Sequence, residues 1–250
     1  MKPGKDQLGD RIKKYENSWR IKLPERLPVI LRLDGVSFHS YTKGCERPFD
    51  ENLVSCMNDT ALYLCNNIQN VVAAYIQSDE ISILINNYKQ LNTESWHGNN
   101  IQKMSSVAAS MASAYFTSIS DRIFGKLKVA HFDCRAFVVP KEEVNNAFLH
   151  RQQDATRNSI QMLTRSLYSH NQCNLKNTSQ LQEMCYQKGF NWNDLPTSQK
   201  RGRCIIKEKT TISGINVKTN EPFSVERGKW KVDNEIPIFS KDPNYIMRLI

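Results

Sequence analysis

The sequence predicts an α+β fold whose sheet follows the ferredoxin-like order β-α-β-β-α-β, continued by a helical and β-hairpin C-terminal appendage. Three observations carry this reading. Apolar, β-branched stretches of strand length occur at residues 28–33, 71–77, 80–85 and 129–139. Helical patterns at 50–68 and 101–119 separate the first stretch from the second and the third from the fourth. Only Ser78 and Asp79 lie between the middle two, so a tight hairpin joins them.

Each element follows in turn. Leu8, Ile12 and Tyr15 share one helical face, which predicts a short amphipathic helix that docks by that stripe. The run from Pro28 to Leu33 reads as a buried strand stopped by the turn former Asp34-Gly35. Leu53, Met57, Leu62 and Leu64 mark the apolar positions of the next helix. The small and apolar residues from Ile101 to Ile119 predict a helix packed closely on the sheet. A long helix is expected from Lys141 to about Ser169, with Val144, Phe148, Ala155 and Met162 roughly on one side. Thr178 to Lys188 reads as a helix, and Cys204 to Val217 as a hairpin turning near Ser213-Gly214. Residues 1–140 then form the core unit with its N-terminal helix, and 141–250 an appendage packed upon it.

A chain of 250 residues with 40% hydrophobic content can bury a sizeable core without covalent staples. Its seven cysteines are scattered, with no CxxC pair, which points to a reducing compartment. The start MKPGKDQLGD lacks an apolar signal core, and Asp6 and Asp10 argue against a mitochondrial presequence. No apolar run reaches membrane-spanning length, so a cytoplasmic protein with no membrane partner is expected, an organellar location being left open. Lysine and arginine total 34 against 25 acidic residues, and the resulting charge of +9 favours a polyanionic partner.

In the predicted topology the third strand folds back beside the first and antiparallel to it. Asp34, at the end of strand one, therefore meets Asp79 and Glu80, at the start of strand three, on one edge of the sheet. Either motif alone is an ordinary turn. Their convergence is not, because crowded carboxylates repel unless cations neutralise them, and hard oxygen ligands select magnesium or manganese. Two such ions suit activation of a hydroxyl nucleophile and stabilisation of a pyrophosphate leaving group. Gly35 lets its backbone approach a metal or phosphate, and the amides of Val36, Ser37 and Phe38 are placed to cradle a triphosphate.

These residues carry a family resemblance. RLDGVSFH resembles the R-x-D-G-x-x-F-H motif of tRNA-His guanylyltransferases, and YIQSDEISILI resembles their Q-S-D-E hairpin. FDCRAFVVP, HRQQDATRN and LPTSQKRG are similar to three further segments in the same order, so the resemblance runs from Leu8 to about Ile206. LGDRIKKYE and RQQDATRN look closest to the Thg1-like branch. The resemblance implies a polymerase palm in which Asp34 and Asp79 hold two magnesium ions, the Gly35 carbonyl adds a ligand and Glu80 supports the acidic cluster. Asp34, Gly35, Val36, Ser37, Phe38 and His39, with Ser78 and Asp79, would contact the nucleoside triphosphate. Arg47 falls where the family often has a lysine in K-P-N-D and would contact phosphate. For RNA, Arg32 beside the metals and the basic run Lys200, Arg201 and Arg203, with Lys207 and Lys209 nearby, are suited to phosphates. Asp154, Arg157 and Asn158 share a polar helix side with His150 and Gln161, and family similarity at Asp154 and Asn158 directs it to the active site or the RNA.

The implied activity is extension of the 5′ end of a tRNA in the 3′-to-5′ direction, with the opposite strand as template. A 5′-monophosphate is first activated with ATP or GTP, after which the 3′-hydroxyl of an incoming nucleotide attacks the activated phosphate; a 5′-triphosphate skips activation. Enzymes dedicated to tRNA-His carry H-I-N-N where this chain has Thr156-Arg157-Asn158-Ser159, so repair of 5′-truncated tRNA is favoured over addition of one guanosine. The family's assembly into tetramers implies a homo-oligomer. The rivals are a nucleotide cyclase, disfavoured by the basic appendage, and a non-catalytic RNA-binding protein, disfavoured because the aromatic pattern of that class is absent from the central strands.

Overall fold

Val29, Leu31 and Leu33 turn to one face of the first strand and Ile30 to the other, and this alternation builds a core on each side of one sheet. In the computed structural model, which describes residues 7–215 and 221–250, the strands are β1 (Val29–Gly35), β2 (Val71–Gln77), β3 (Glu80–Ile85), β4 (Phe132–Val138), β5 (Arg203–Ile215) and β6 (Pro222–Asp233). They lie in the order β4-β1-β3-β2-β5-β6, every neighbour antiparallel. The first four strands and their two crossover helices make the ferredoxin-like palm, as the sequence predicts. β5 and β6 then extend the same sheet past β2, with Ala73 opposite Ile206 and Ile76 opposite Arg203.

One face is covered by α3 (Glu51–Asn67) and α4 (Ile101–Ser118), which follow the short turn α2 (Phe38–Tyr41). Asp50 caps α3 by accepting the Leu53 amide, and Asn100 caps α4 by accepting that of Lys103. The small residues Ala108 and Ala112 let α4 lie close to the strands, where Met104 and Phe116 fill the remaining space. The other face is covered by α5 (Val144–Leu167) and by the chain after β6, with Phe148, Ile236, Phe239 and Tyr245 meeting Ile30, Tyr75 and Leu84. A 3-10 turn at Lys141–Glu143 leads into α5. α6 (Thr178–Gln187) and α7 (Thr197–Arg201) pack on α5, and α8 (Asn244–Met247) closes the chain.

Two sequence expectations are corrected. The N-terminal helix α1 (Gln7–Ser18) forms, but its stripe does not dock: Leu8, Ile12 and Tyr15 are 61%, 46% and 69% exposed. Both faces of the sheet are already covered, by α3 and α4 on one side and by α5 (Val144–Leu167) and the chain after β6 on the other. The hairpin does not turn at Ser213-Gly214, because both residues are inside β5, paired with Ser224 and Phe223. A glycine that reads as a turn is here a strand residue, and the connection lies between Ile215 and Pro222. Val217, assigned to that hairpin, and Asp6, used against a presequence, lie outside the described residues. Among the described residues no helix is long and apolar enough to cross a membrane.

Candidate active site

The β2–β3 hairpin is as tight as the sequence demands, with Ser78 in the left-handed region at φ 48° and Asp79 completing the turn. Register places Asp34 opposite Glu80 on one side and opposite Asp133 of β4 on the other. The Gly35 amide donates to the Asp79 carbonyl at 3.2 Å, stitching the end of β1 to the hairpin tip. Asp34, Asp79 and Glu80 thus share one sheet edge. Burial pushes the Asp79 carboxyl above its ordinary range; a hydrogen bond from Ser78 opposes this, and the charges of Asp34 and Glu80 add to it.

That edge suits a hard dication. Neither Asp34 nor Asp79 forms an ion pair among the described residues, and a buried carboxylate facing another carries a cost that a bound cation removes. Among the described residues no three histidine, cysteine or carboxylate side chains converge on a metal position. Two carboxylates and a backbone carbonyl, completed by water and substrate phosphates, are what magnesium ordinarily takes.

Glu80 sits differently from the two aspartates. Its Oε1 accepts from Arg151 Nε at 2.8 Å, and Ser82 Oγ donates to the same oxygen at 3.3 Å. Arg151 also pairs with Asp154 at 2.6 Å, and Asp154 in turn holds Arg157. Glu80, Arg151, Asp154 and Arg157 form one charged chain from sheet edge to helix. Arg151 was not singled out from the sequence, although its place three residues before Asp154 in RQQDATRN marks it as an ion-pair partner.

The loop after β1 is shaped by one ring. A β-carbon on Gly35 would stand 2.3 Å from Phe38, whose side chain is buried against Tyr41, Phe116 and Phe132. Gly35 is therefore small for the sake of Phe38 as well as for any ligand. Ser37, at φ 55°, turns the chain into α2. The expected amide cradle is narrower than Val36-Ser37-Phe38, since the Val36 amide already donates to the His131 carbonyl at 2.9 Å. Val36 and His39 are exposed at the surface of this loop, His39 at the mouth of the adjoining cavity.

The cavity, of about 370 Å³, opens beside the acidic edge between the start of α3 and the polar side of α5. Arg47, Ser78 and Asn158 are on its wall, as is Gln77, which is 5% exposed and whose Oε1 has no hydrogen-bond partner. A buried, unpaired amide oxygen facing a cavity is an acceptor waiting for a donor. Gln77 stands in the Q-S-D-E segment but was not assigned a role from it. Asp50, by contrast, is occupied, with one carboxylate oxygen on the Leu53 amide and the other on that of Glu46.

The remaining candidates divide. Arg32 lies two residues before Asp34 on the same strand face, half-buried, opposite Ser82 and Arg135. Lys200 donates to the Asn193 carbonyl at 2.6 Å and lies over the Trp192 ring; Arg201 is half-buried, and its carbonyl accepts from Tyr75. Arg203 is no surface contact: it is 3% exposed, its guanidinium donates to Asn58 and to the Val54 carbonyl at 3.2 Å, and burial pushes its pKa down to about 10. Gly202, at φ 78°, turns the chain so that Arg203 enters the sheet opposite Ile76. Lys200, Arg201 and Arg203 therefore do not form the exposed basic ridge expected of them.

Comparison with known proteins agrees with this arrangement. The family model of tRNAHis guanylyltransferase, Thg1, matches residues 9–140, a span that contains the whole acidic edge. A tRNA(His) guanylyltransferase of Schizosaccharomyces pombe is 28% identical over 212 residues, 79% of each chain. A probable tRNA(His) guanylyltransferase of Drosophila melanogaster is 26% identical over 226 residues, 83% of this chain and 78% of that one. Among solved structures, a bacterial Thg1-like protein in complex with ATP superposes with a TM-score of 0.86 at 46% identity, covering 98% of this chain and 99% of the other. The same description in complex with GTP gives a TM-score of 0.81 at 48% identity, again over 98% and 99%. With the palm, its carboxylate edge and these likenesses in agreement, the chain belongs to the tRNAHis guanylyltransferase (Thg1) family of nucleotidyltransferases.

Proposed function

We propose that this enzyme adds nucleotides to the 5′ end of tRNA in the 3′-to-5′ direction, restoring truncated ends under the direction of the facing strand. The observation that carries the chemistry is the meeting of Asp34 and Asp79 at the end of β1, with Asp79 buried enough for its carboxyl to be raised. Asp34, Asp79 and the Gly35 carbonyl would hold two magnesium ions, which, when bound, lower the pKa of an attacking hydroxyl and offset charge on pyrophosphate. The amides of Ser37 and Phe38 and the side chain of Arg47 would take the triphosphate of ATP, GTP or the incoming nucleotide, with His39 and Ser78 beside them. Gln77 would accept a hydrogen bond from a donor group of the nucleoside. Glu80 holds Arg151, and through it Asp154, against the sheet edge. Arg32, Arg157 and Asn158 would face the 5′ phosphate and the acceptor stem, and residues 141–250 would carry the wider RNA contact.

Repair is preferred to addition of a single guanosine to tRNA-His for two reasons. Identity is 46% and 48% to the bacterial Thg1-like structures but 26% and 28% to the two tRNA(His) enzymes above. The H-I-N-N segment is replaced by residues of which Ser159 turns inward, bonded to the Lys200 carbonyl, while Thr156 bonds back to the Gln152 carbonyl of its own helix. A homo-oligomer, a tetramer by family likeness, belongs to the same proposal, supported by the bare apolar stripe of α1. So does a cytoplasmic setting, since all seven cysteines are free thiols. The test is kcat/KM, with magnesium, for a tRNA lacking its first nucleotide and for complete tRNA-His, varying the facing base. The truncated tRNA should be the better substrate and should receive the complementary base. Preference for complete tRNA-His with guanosine added whatever the facing base overturns the repair reading, and absence of incorporation into any RNA overturns the enzyme reading.

A further inference from the structure

At the end of the sheet away from the carboxylates, a groove of about 1260 Å³ runs between the last turns of α3, the loop after β3 and the roots of β5 and β6. Its walls carry Lys89, Lys207, Arg227, Lys229 and Arg248, all exposed, and among the described residues no carboxylate. None of these five cations forms an ion pair among the described residues. The acids beside them on the hairpin are drawn off by other lysines: Lys231 holds Glu208 at 3.3 Å, and Lys209 holds Glu226 at 3.2 Å. Lys207 is positioned, its ammonium 4.6 Å from the centroid of the half-buried Trp230 ring.

Like charges gathered on a concave surface without counter-charges repel one another, and such a surface concentrates an anionic partner. The partner must be extended, because the cations come from four separate segments and the groove has no acidic ligand for the metal that accompanies a triphosphate. β2 spans the distance from this end to the acidic edge, roughly 20 Å at about 3.3 Å per residue. We infer that this groove holds the phosphodiester backbone of RNA at a distance from the reacting 5′ end, by charge and shape and without reading its bases. The inference rests on the tRNA reading above and adds to it a second contact that the basic run at Lys200 to Arg203 does not supply.

The test compares the parent with a variant carrying Lys207→Gln, Arg227→Gln, Lys229→Gln and Arg248→Gln, and with a charge-matched control at Lys22, Lys43, Lys103 and Lys126, all exposed. Binding of a 5′-truncated tRNA is followed by anisotropy between about 50 and 200 mM salt. The groove variant should bind at least about tenfold more weakly, and its log–log salt slope should flatten by about one unit for each phosphate it no longer neutralises. Its melting temperature and its affinity for GTP alone should match the parent, and the control should keep the parent slope. A groove variant with the parent slope, an equal weakening in the control, or polyglutamate competing as well as RNA overturns the inference. If the parent binds no tRNA, the functional reading fails with it; if the parent binds and extends tRNA while the groove variant is indistinguishable from it, only the groove fails.

Discussion

Arg151 Nε donates to Glu80 Oε1 at 2.8 Å, so a helix residue outside the first four strands neutralises the carboxylate that pairs across from Asp34. Both side chains are largely buried, at 16% and 8% exposure. Arg151→Met should therefore cost about 2–3 kcal/mol in urea unfolding, because it strands a buried charge. Glu80→Gln should cost less, since Arg151 keeps Asp154. The double variant should recover part of the loss, and strict additivity in the cycle would show that the ion pair carries no coupling.

Asp34→Asn and Asp79→Asn should each abolish nucleotide addition while the protein still melts cooperatively. For Asp79 the sign of the stability effect is fixed. Its carboxyl is raised by burial, so in metal-free protein it favours the protonated form, and ionising it costs stability above its folded pKa. That penalty vanishes as pH falls below the ordinary carboxylate value. Asp79→Asn should accordingly raise the melting temperature relative to the parent at neutral pH, with the gap closing in acid. A gap that widens in acid would mean that Asp79 is stabilised as an anion.

Gly35→Ala places a methyl 2.3 Å from the Phe38 ring, too close without movement of that ring. Tyr41, Phe116 and Phe132 surround it, so the strain should cost about 1–3 kcal/mol. Pairing Gly35→Ala with Phe38→Leu should relieve part of this. Turnover should stay low in both variants, because the loop carrying Ser37 is displaced; full activity in the single variant would separate the loop from catalysis.

Replacing Gln77 with Met removes a buried oxygen that has no partner. Stability without ligand should stay level or rise by about 1 kcal/mol. Nucleotide affinity, read by calorimetry with a non-hydrolysable triphosphate, should fall by about tenfold, the worth of one hydrogen bond from a donor group of the base. Unchanged affinity would show that the oxygen faces only solvent in the complex.

The palm was legible because its hairpin leaves no alternative. Val71–Gln77 and Glu80–Ile85 are recovered to the residue, since a two-residue gap between β-branched runs fixes the register beside the turn, although it shifts between Val71 and Ala73. The pairing of β1 with the β3 so placed brought Asp34 to Glu80. What the sequence hid depends on the direction of a single side chain. Arg203 reads as one of several surface cations until Gly202 turns it inward, and the stripe on α1 shows that a helix is amphipathic without showing which surface, if any, it meets. Ser213-Gly214 misled for a related reason, as glycine is common in turns but is tolerated inside a long paired strand.

β2 hydrogen-bonds to β3 along one edge and to β5 along the other, while Tyr75 fastens the Arg201 carbonyl at 2.6 Å just before β5 begins. The seam makes the C-terminal portion inseparable from the acidic edge it flanks. A fragment stopped before Arg203 would keep every residue of the candidate catalytic edge yet bare the backbone of the apolar strand β2 where Ala73, Ala74, Tyr75 and Ile76 pair with β5. Such a strand recruits whatever strand it meets, so the truncated palm should be recovered as aggregate. Evolutionary change in this protein would accordingly be easiest at the distal end of the β5–β6 arm, where length can vary without unzipping the centre.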